Sequence, residues 1–361
     1  MTRAEREQLN RSLGSHLDTI HETFQVLDQA PSSQEKVSWG EVIQMGEQVS
    51  KQATIVGMLW AEEKPEIKTL EENMSAYFNI LQGFLLLSHG SRVGAGPTLS
   101  SCIHASVKHV VDCSFMLFKE SLCSYGSCNK DQKLPIPQLV GTVWDACSAL
   151  KKTPSTNVTA IGRAMTHVAV SIKDVLRELK ELKPGSSDLT DEATDDASAK
   201  AESSPKDKDN SSDGDLGNDL SPEEMKIAQL AIEVVSETLG VQKELIRSIT
   251  GLIKQEDPKE QSNFVNSLER LLKLSQEIGL QVDELGACLY PPQEVSAMKN
   301  ALEKITGIIA EMQTEVANLK SSPEAFAQAC DGLRSSMRQL ELGCSSATDL
   351  VPGMQNLVVS S

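Results

Sequence analysis

The sequence predicts an all-α protein built from one or more multi-helix bundles, and three observations lead to that fold class. Apolar residues recur at steps of three and four along ten segments, which is the spacing of one face of an α-helix. Aromatic residues make up only 4% of the 361 residues, which suits a bundle packed with aliphatic side chains better than a β-sandwich. No segment carries the turn signals of a β-hairpin.

Six helices are predicted in the first half of the chain. Prolines and glycines separate them, and a turn-rich loop at 89–97 divides the third from the fourth. On the fifth helix the spacing predicts that Trp144 faces inward. Ser155 or Asn157 is expected to cap the sixth. The predicted segments are 4–27, 39–59, 67–88, 99–122, 137–151 and 157–182.

Residues 184–222 interrupt this pattern. They include eleven acidic residues and three lysines, about half of the net charge of −17, with no aromatic residue and no apolar period. Such a segment cannot bury enough apolar surface to offset the entropy of ordering, so we predict a disordered acidic linker at 184–221. It would join an N-terminal bundle (1–183) to a C-terminal bundle (222–343), which a loose tail (344–361) follows.

Four helices are predicted after the linker. Ser221, Pro222 and Glu224 form a capping box that opens the first of them. The last is expected to end before Gly343. The predicted segments are 222–252, 264–289, 295–319 and 322–342.

Pro291 and Pro292 separate the second and third of these helices. A proline disfavours the α conformation in the residue before it, so the helix before Pro291 has to end. Pro292 suits the first turn of the next helix, where its missing N–H costs nothing. We therefore expect an antiparallel helical hairpin with a very short connection.

The second helix of this hairpin carries a heptad stripe with two possible roles, a partner-binding zipper or a bundle core. Lys299, Ala301 and Thr306 flank the stripe and make a poor charge pattern for a zipper. Ile308 widens the apolar face, which favours the bundle core. The stripe consists of Val295, Met298, Leu302, Ile305, Ile309 and Met312.

Composition argues against several classes of partner. The 51 acidic residues outnumber the 34 lysines and arginines, so no basic surface for nucleic acid is expected. The N-terminus is charged and no apolar run reaches the length of a membrane span, so we expect a soluble intracellular protein without a membrane partner. The eight cysteines then act as small apolar residues of a reducing compartment.

Signals for chemistry are weak. A cysteine and histidine cluster lacks the short cysteine pairs of structural zinc sites. Residues 93–98 resemble a phosphate loop, but no strand precedes them and no Gly-Lys-Ser/Thr follows. No nucleophile comes with a visible base, so we expect no enzyme, cofactor or metal. The cluster consists of Cys102, His104, His109, Cys113, Cys123 and Cys128.

Two serines of the acidic linker are candidate phosphosites. Ser204 precedes a proline, and Ser212 has an acidic residue three positions on, as acidophilic kinases favour. The other Ser-Pro pairs, at Ser221 and Ser322, are better explained as helix caps.

The hairpin segment resembles the C-terminal signature of the cyclin-D-binding protein family, also called GCIP. The resemblance rests on Val282-Asp283-Glu284-Leu285 followed by Leu289-Tyr290-Pro291-Pro292, together with the length, the helical halves and the acidic middle. We take Asp283, Leu285, Tyr290, Pro291 and Pro292 as the family signature turn.

The resemblance implies a non-enzymatic protein of cytoplasm and nucleus, with a helical bundle similar to those of vinculin, talin and catenin. Its implied partners are a D-type cyclin or a helix-loop-helix transcription factor, and its implied role is negative regulation of the cell cycle and of transcription. The segment 342–346 has Ser346 where a pocket-protein motif would place glutamate, so binding of a retinoblastoma-type protein through it is not expected. The alternative is a vinculin-like adaptor in cytoskeletal or trafficking complexes.

Overall fold

The computed structural model describes residues 3–29, 35–60, 66–124, 136–183, 220–252, 261–319 and 324–349. In these ranges the chain forms ten α-helices and two short 3-10 turns, which confirms the predicted all-α fold. None of these helices combines the length and apolar character that a membrane crossing requires. The helices are α1 (Arg3–Gln25), α2 (Trp39–Trp60), α3 (Ile67–Ser91), α4 (Pro97–Ser124), α5 (Ile136–Ala149), α6 (Asn157–Leu179), α7 (Pro222–Gly251), α8 (Gln261–Ala287), α9 (Val295–Asn318) and α10 (Glu324–Asp349).

Contacts group these helices into two compact units. The first comprises Met1–Arg163 and Ile253–Glu269, and the second comprises Ala164–Leu252 and Arg270–Ser361. Both α6 and α8 therefore contribute residues to each unit. The predicted domain boundaries follow chain order and stay a prediction, because most of the predicted linker, 184–219, lies outside the described residues.

An aromatic cluster fills the centre of the first unit. The rings of Tyr77, Phe78 and Phe118 lie with their centroids 4.9 to 5.9 Å apart, and Trp60 meets Phe118 edge-on at 6.3 Å. The hydroxyl groups of Tyr77 and Ser114 share a buried hydrogen bond of 2.7 Å. Burial raises the pKa of Tyr77, so its hydroxyl stays neutral and keeps this bond at any ordinary pH.

Helices α2 and α5 pack closely because α2 presents glycine to its neighbour. A Cβ atom at Gly57 would lie 2.5 Å from Cγ2 of Val140, and one at Gly46 would lie 2.5 Å from Cδ1 of Leu150. Real Cβ atoms essentially never approach that closely, so Gly57 is needed for this helix pair. The neighbour of Gly46 lies in the 3-10 turn that follows α5, and the flexible end of the Leu150 side chain can shift.

Trp144 lies at the edge of the α2–α5 contact, so the prediction that it faces inward was wrong. The side chain is 45% exposed. Its indole N–H donates to the carbonyl of Ser50 at 3.3 Å and to Oγ1 of Thr54 at 3.1 Å. Two helices this close leave no room for an indole between them. The ring therefore lies at the edge of the contact, where its N–H finds acceptors on α2.

In the second unit, α7 packs against α10 through further glycines. A Cβ atom at Gly343 would lie 2.8 Å from Cδ1 of Leu230, and one at Gly332 would lie 3.0 Å from Oε2 of Glu237. Gly343, later in α10, meets the earlier α7 residue Leu230, and Gly332 meets the later residue Glu237, so the two helices are antiparallel. The expectation that the last helix ends before Gly343 was wrong, because this glycine serves helix packing and α10 continues to Asp349.

The connection between α8 and α9 forms at the two prolines, as predicted. The Pro291–Pro292 peptide is cis, and the Glu294 N–H donates to the Cys288 carbonyl at 3.2 Å, which closes the turn. Arg270 of α8 pairs with Glu311 of α9, as an antiparallel hairpin requires. Pro292 was expected in the first turn of α9, but that helix begins only at Val295, after the closed turn.

The helix caps follow local chemistry. The predicted capping box of α7 is confirmed, since Ser221 Oγ accepts from the Glu224 N–H and the Glu224 side chain accepts from the Ser221 N–H. At α6 the cap is Thr156, whose hydroxyl accepts from the Thr159 N–H at 3.2 Å. The expected caps, Ser155 and Asn157, were therefore one residue off on either side.

Gly57→Ala should lower the free energy of unfolding by about 1–3 kcal/mol, because valine is stiff in a helix and Val140 cannot turn its methyl group away. The matched control is Gly141→Ala on α5, where nothing lies within 4 Å of the added Cβ. Helix propensity should make that variant more stable by about 0.5–1 kcal/mol. Urea unfolding measures both. Equal effects of the same sign would contradict the packing described.

Candidate functional site

The heptad stripe of α9 is buried in the second unit. Met298, Leu302, Ile305, Ile309 and Met312 have no exposed surface, whereas Val295, at the start of the helix, is half-buried. This burial is what the bundle-core interpretation requires. A partner could reach the stripe only if α9 left the bundle, so the surface available for binding lies elsewhere.

The family signature turn divides between the core and the surface. Leu285 is fully buried, whereas Tyr290 is 39% exposed and Asp283 and Pro292 are also exposed. Pro291 is half-buried. Buried Leu285 therefore holds the fold, whereas the exposed signature residues, on the last turn of α8 and in the turn after it, are accessible to a partner.

Further exposed residues lie on the last two turns of α8 and just after it. Leu280 is 64% exposed, an unusual position for a leucine on a helix whose opposite face is packed. Asp283, Glu284 and Ala287 follow at spacings of three, four and seven residues, so they share that face. We call Leu280, Asp283, Glu284, Ala287 and Tyr290 the α8 surface.

Sequence reasoning missed Leu280. The predicted stripe of this helix passes through Ile278 and Val282, and Leu280 lies outside it. An apolar residue on the polar face of an amphipathic helix was the available signal.

The charge at the α8 surface is acidic, and none of the ion pairs in the described part of the chain uses Asp283 or Glu284. Partial burial raises the pKa of Asp283, and the nearby carboxylate of Glu178 raises it further. Glu178 belongs to α6, which approaches α8 closely where a Cβ atom at Gly286 would lie 3.2 Å from Cγ1 of Val175. Acidic side chains from two helices thus interact at a surface that also carries an exposed leucine, which favours a partner that is both basic and apolar.

The loop that resembles a phosphate loop is already satisfied by protein atoms of the first unit. Asn157 Oδ1 accepts from the Gly96 N–H at 2.7 Å, and its Nδ2 donates to the Gly94 carbonyl at 2.9 Å. The carboxylate of Glu269 accepts from the N–H and the hydroxyl of Thr98 at 2.9 and 2.7 Å.

Backbone conformation and close packing explain why the loop contains glycines, so no bound phosphate is needed to account for them. Gly94 has a φ of 73°, which favours glycine. A Cβ atom at Gly96 would lie 2.6 Å from Cγ1 of Val265 and 2.7 Å from Oε1 of Glu269. The Glu269 carboxylate accepts hydrogen bonds at the N-terminus of α4, the position where an anion would bind. The loop therefore has a structural role, in which hydrogen bonds between protein groups connect neighbouring helices.

The cysteine and histidine candidates do not converge. The imidazole of His104 faces Asp28 at 3.4 Å, and Nδ1 of His109 lies 3.9 Å from Sγ of Cys113 on the same helix. Burial raises the pKa of the Cys102 and Cys113 thiols, which disfavours the thiolate that binds metal. Among the described residues no group of three or more His, Cys, Asp or Glu side chains could hold a metal ion, and Cys128 lies outside them.

Comparison with known proteins connects the signature to a family. Residues 41–185 match the family model described as Grap2 and cyclin-D-interacting, N-terminal. Residues 205–314, which include the signature turn, match the corresponding C-terminal model.

A curated relative agrees with these matches. The chain is 22% identical over 235 residues to a protein of Xenopus laevis named cyclin-D1-binding protein 1 homolog, and the match covers 64% of each chain. The chain thus spans just under two thirds of the length of this relative. Since the two family models together cover more than half of the sequence, the chain belongs to the Grap2 and cyclin-D-interacting family, as its signature had indicated.

Proposed function

We propose that this chain is a non-enzymatic interaction protein that binds a D-type cyclin through the α8 surface. The observation that carries the proposal is the exposure of Leu280 and Tyr290 in the same segment as the exposed carboxylate of Asp283, inside the region that identifies the family. The names of the family and of the Xenopus relative support the class of partner.

The physical basis is a basic and apolar partner segment that lies along the end of α8. Covering Leu280 would contribute about 1.5–3 kcal/mol if it became fully buried, and Tyr290 can add contact area while keeping its hydroxyl hydrated. A lysine or arginine beside Asp283 and Glu178 would remove the repulsion between these carboxylates. The binding would therefore weaken as salt rises.

By occupying a cyclin in this way, the protein would act as a negative regulator of cell-cycle progression, in the cytoplasm and the nucleus. A helix-loop-helix transcription factor is the other partner class that the family resemblance implies, and binding it would restrain transcription. The α8 surface serves both hypotheses, since a partner of either class can present an amphipathic basic helix to it.

The test is titration calorimetry of the full chain with a purified D-type cyclin and, separately, with a helix-loop-helix protein. The double variant Leu280→Ala, Asp283→Lys should weaken the binding at least about ten-fold, because it removes the apolar anchor and reverses the central charge. The matched control is Val170→Ala on α6, an exposed apolar residue outside the α8 surface, which should bind normally.

Thermal unfolding has to accompany this test. The α8 double variant should unfold at or slightly above the temperature of the parent, since it removes the Asp283 carboxylate that Glu178 repels. Leu302→Asp in the buried stripe should lower that temperature steeply, because it buries an unpaired charge. Unchanged affinity for both partners with the α8 variants would overturn the proposed surface. Capture of cytoskeletal proteins by the full chain, without a cyclin or a helix-loop-helix protein, would favour the adaptor alternative instead.

Asp283→Asn should slightly stabilise the protein at neutral pH. The pKa of Asp283 is raised in the fold, so ionisation of this carboxyl costs stability as pH rises through its titration, and the asparagine variant avoids that cost. Because the side chain is mostly solvent-exposed, the gain should be about a few tenths of a kcal/mol. Urea unfolding at pH 7 and pH 3 measures it. The difference should vanish at pH 3, and destabilisation at pH 7 would contradict the repulsion.

A further inference from the structure

Three basic side chains meet just beyond the C-terminal end of α1, in the first unit. The Arg92 guanidinium donates through Nη1 to the carbonyl of Gln29 at 3.3 Å, and Nε2 of His104 lies 3.4 Å from Oδ1 of Asp28. Asp28 and Gln29 are consecutive residues with Cα atoms about 3.8 Å apart, so Arg92 and His104 approach the same point of the chain. The third group is His89, in the last turn of α3 and three residues before Arg92. We call His89, Arg92 and His104 the basic cluster.

Each member of the basic cluster has a buried nitrogen atom without a hydrogen-bond partner. These atoms are Nδ1 of His89, Nε of Arg92 and Nε2 of His104. The contact between His104 and Asp28 has the distance of an ion pair without the geometry of a hydrogen bond. A buried polar group without a partner costs about 1–3 kcal/mol, so three of them at the end of one helix indicate that a ligand is bound there.

The free edge of the Arg92 guanidinium has the geometry that recognises an oxyanion. Its Nη1 is used by Gln29, which leaves the edge formed by Nε and Nη2 without a hydrogen bond in the described part of the chain. The two parallel N–H groups of this edge match two oxygens of one anion. None of the ion pairs among the described residues uses Arg92, so no carboxylate of that part of the chain has this role.

The two histidines add donors whose number depends on protonation. Burial and the charge of Arg92 lower the pKa of His89, so its imidazole is neutral at pH 7. A bound anion would favour the protonated form, in which both ring nitrogens donate. Asp28 opposes an anion, but its side chain is 69% exposed and is free to turn toward solvent.

The backbone carbonyls at the end of α3 are occupied, which reduces the repulsion that a helix C-terminus exerts on an anion. The His89 carbonyl accepts from the Arg92 N–H at 3.1 Å, and the Gly90 carbonyl accepts from the N–H groups of Val37 and Val93 at 3.3 and 3.4 Å. Val37 also packs so closely that a Cβ atom at Gly90 would lie 2.6 Å from its Cγ2. The basic cluster is therefore held on a hydrogen-bonded and closely packed backbone.

We propose that the basic cluster binds a phosphate group, either free or carried by a phosphoserine. The Nε and Nη2 donors of Arg92 hold two phosphate oxygens, and the imidazoles of His89 and His104 donate to the others. A phosphate carries about −1.5 to −2 charges and three acceptor oxygens, which suits three basic groups better than a carboxylate does. The site uses no residue of the α8 surface, so it is independent of cyclin binding.

The experiment is a titration of the full chain, isotope-labelled at histidine, with sodium phosphate at constant ionic strength. The imidazole signals of His89 and His104 should shift and saturate, and the pKa of His89 should rise. His21 and His167 are internal controls, because both side chains are exposed and lie outside the cluster. A second titration with acetyl-Ala-phosphoserine-Ala-amide shows which form of phosphate the site prefers.

Variants assign the contact to Arg92. Arg92→Gln should weaken phosphate binding at least about ten-fold, and Arg92→Lys should fall between that variant and the parent, because lysine keeps the charge without the planar fork. Asp28→Asn should tighten binding by removing the opposing carboxylate. The charge-matched control is Arg11→Gln on α1, an exposed residue that donates to the carbonyl of Glu7, and this variant should bind phosphate normally.

Absence of saturable shifts with both ligands, equal shifts of the control histidines, or an equal loss with Arg11→Gln and Arg92→Gln would overturn the proposal. Thermal unfolding accompanies each variant. If Arg92→Gln lowers the unfolding temperature, Asp28→Asn still decides, because a phosphate site requires tighter binding by this variant and a purely structural Arg92 requires no change.

Discussion

The second unit depends on the burial of α7, whose buried residues extend around much of the helix instead of forming one narrow stripe. Polar side chains are among these buried residues. The Thr238 hydroxyl donates to the Val234 carbonyl, and Gln242 accepts a hydrogen bond of 2.6 Å from Ser275 of α8. Removing one partner of such a buried bond costs more than the bond itself contributes. The pairing of α7 with α8 is therefore specific in register as well as apolar.

This burial determines where binding chemistry can lie. Because α7 to α10 pack against one another, the heptad stripe of α9 is buried in the core and is not available to a partner. Only outward faces remain, and among them the α8 surface carries exposed carboxylates beside an exposed leucine. This surface favours a basic partner, in keeping with a chain whose net charge is −17.

Local signals allowed most of the fold to be predicted from the sequence. The helices, the stop at Pro291 and the capping box at Ser221 depend on residues within a few positions of each other, so periodicity and caps were sufficient. Of the candidate site, the sequence identified Asp283 and Tyr290 through the family signature. It did not identify Leu280, because exposure depends on which neighbouring helices cover each face.

By itself the sequence determined the all-α class, the ten helices and the family, since these depend on composition, periodicity and a short motif. Only the tertiary structure decided that Gly343 packs a helix instead of ending it, that Trp144 lies at an edge, and that Glu269 caps a helix at Thr98. Each of these depends on contacts between residues far apart in the chain, 171 positions in the last case. The spacing of apolar residues in the sequence indicates which face of a helix is apolar. Which of its other faces is exposed to solvent depends on how the helices pack.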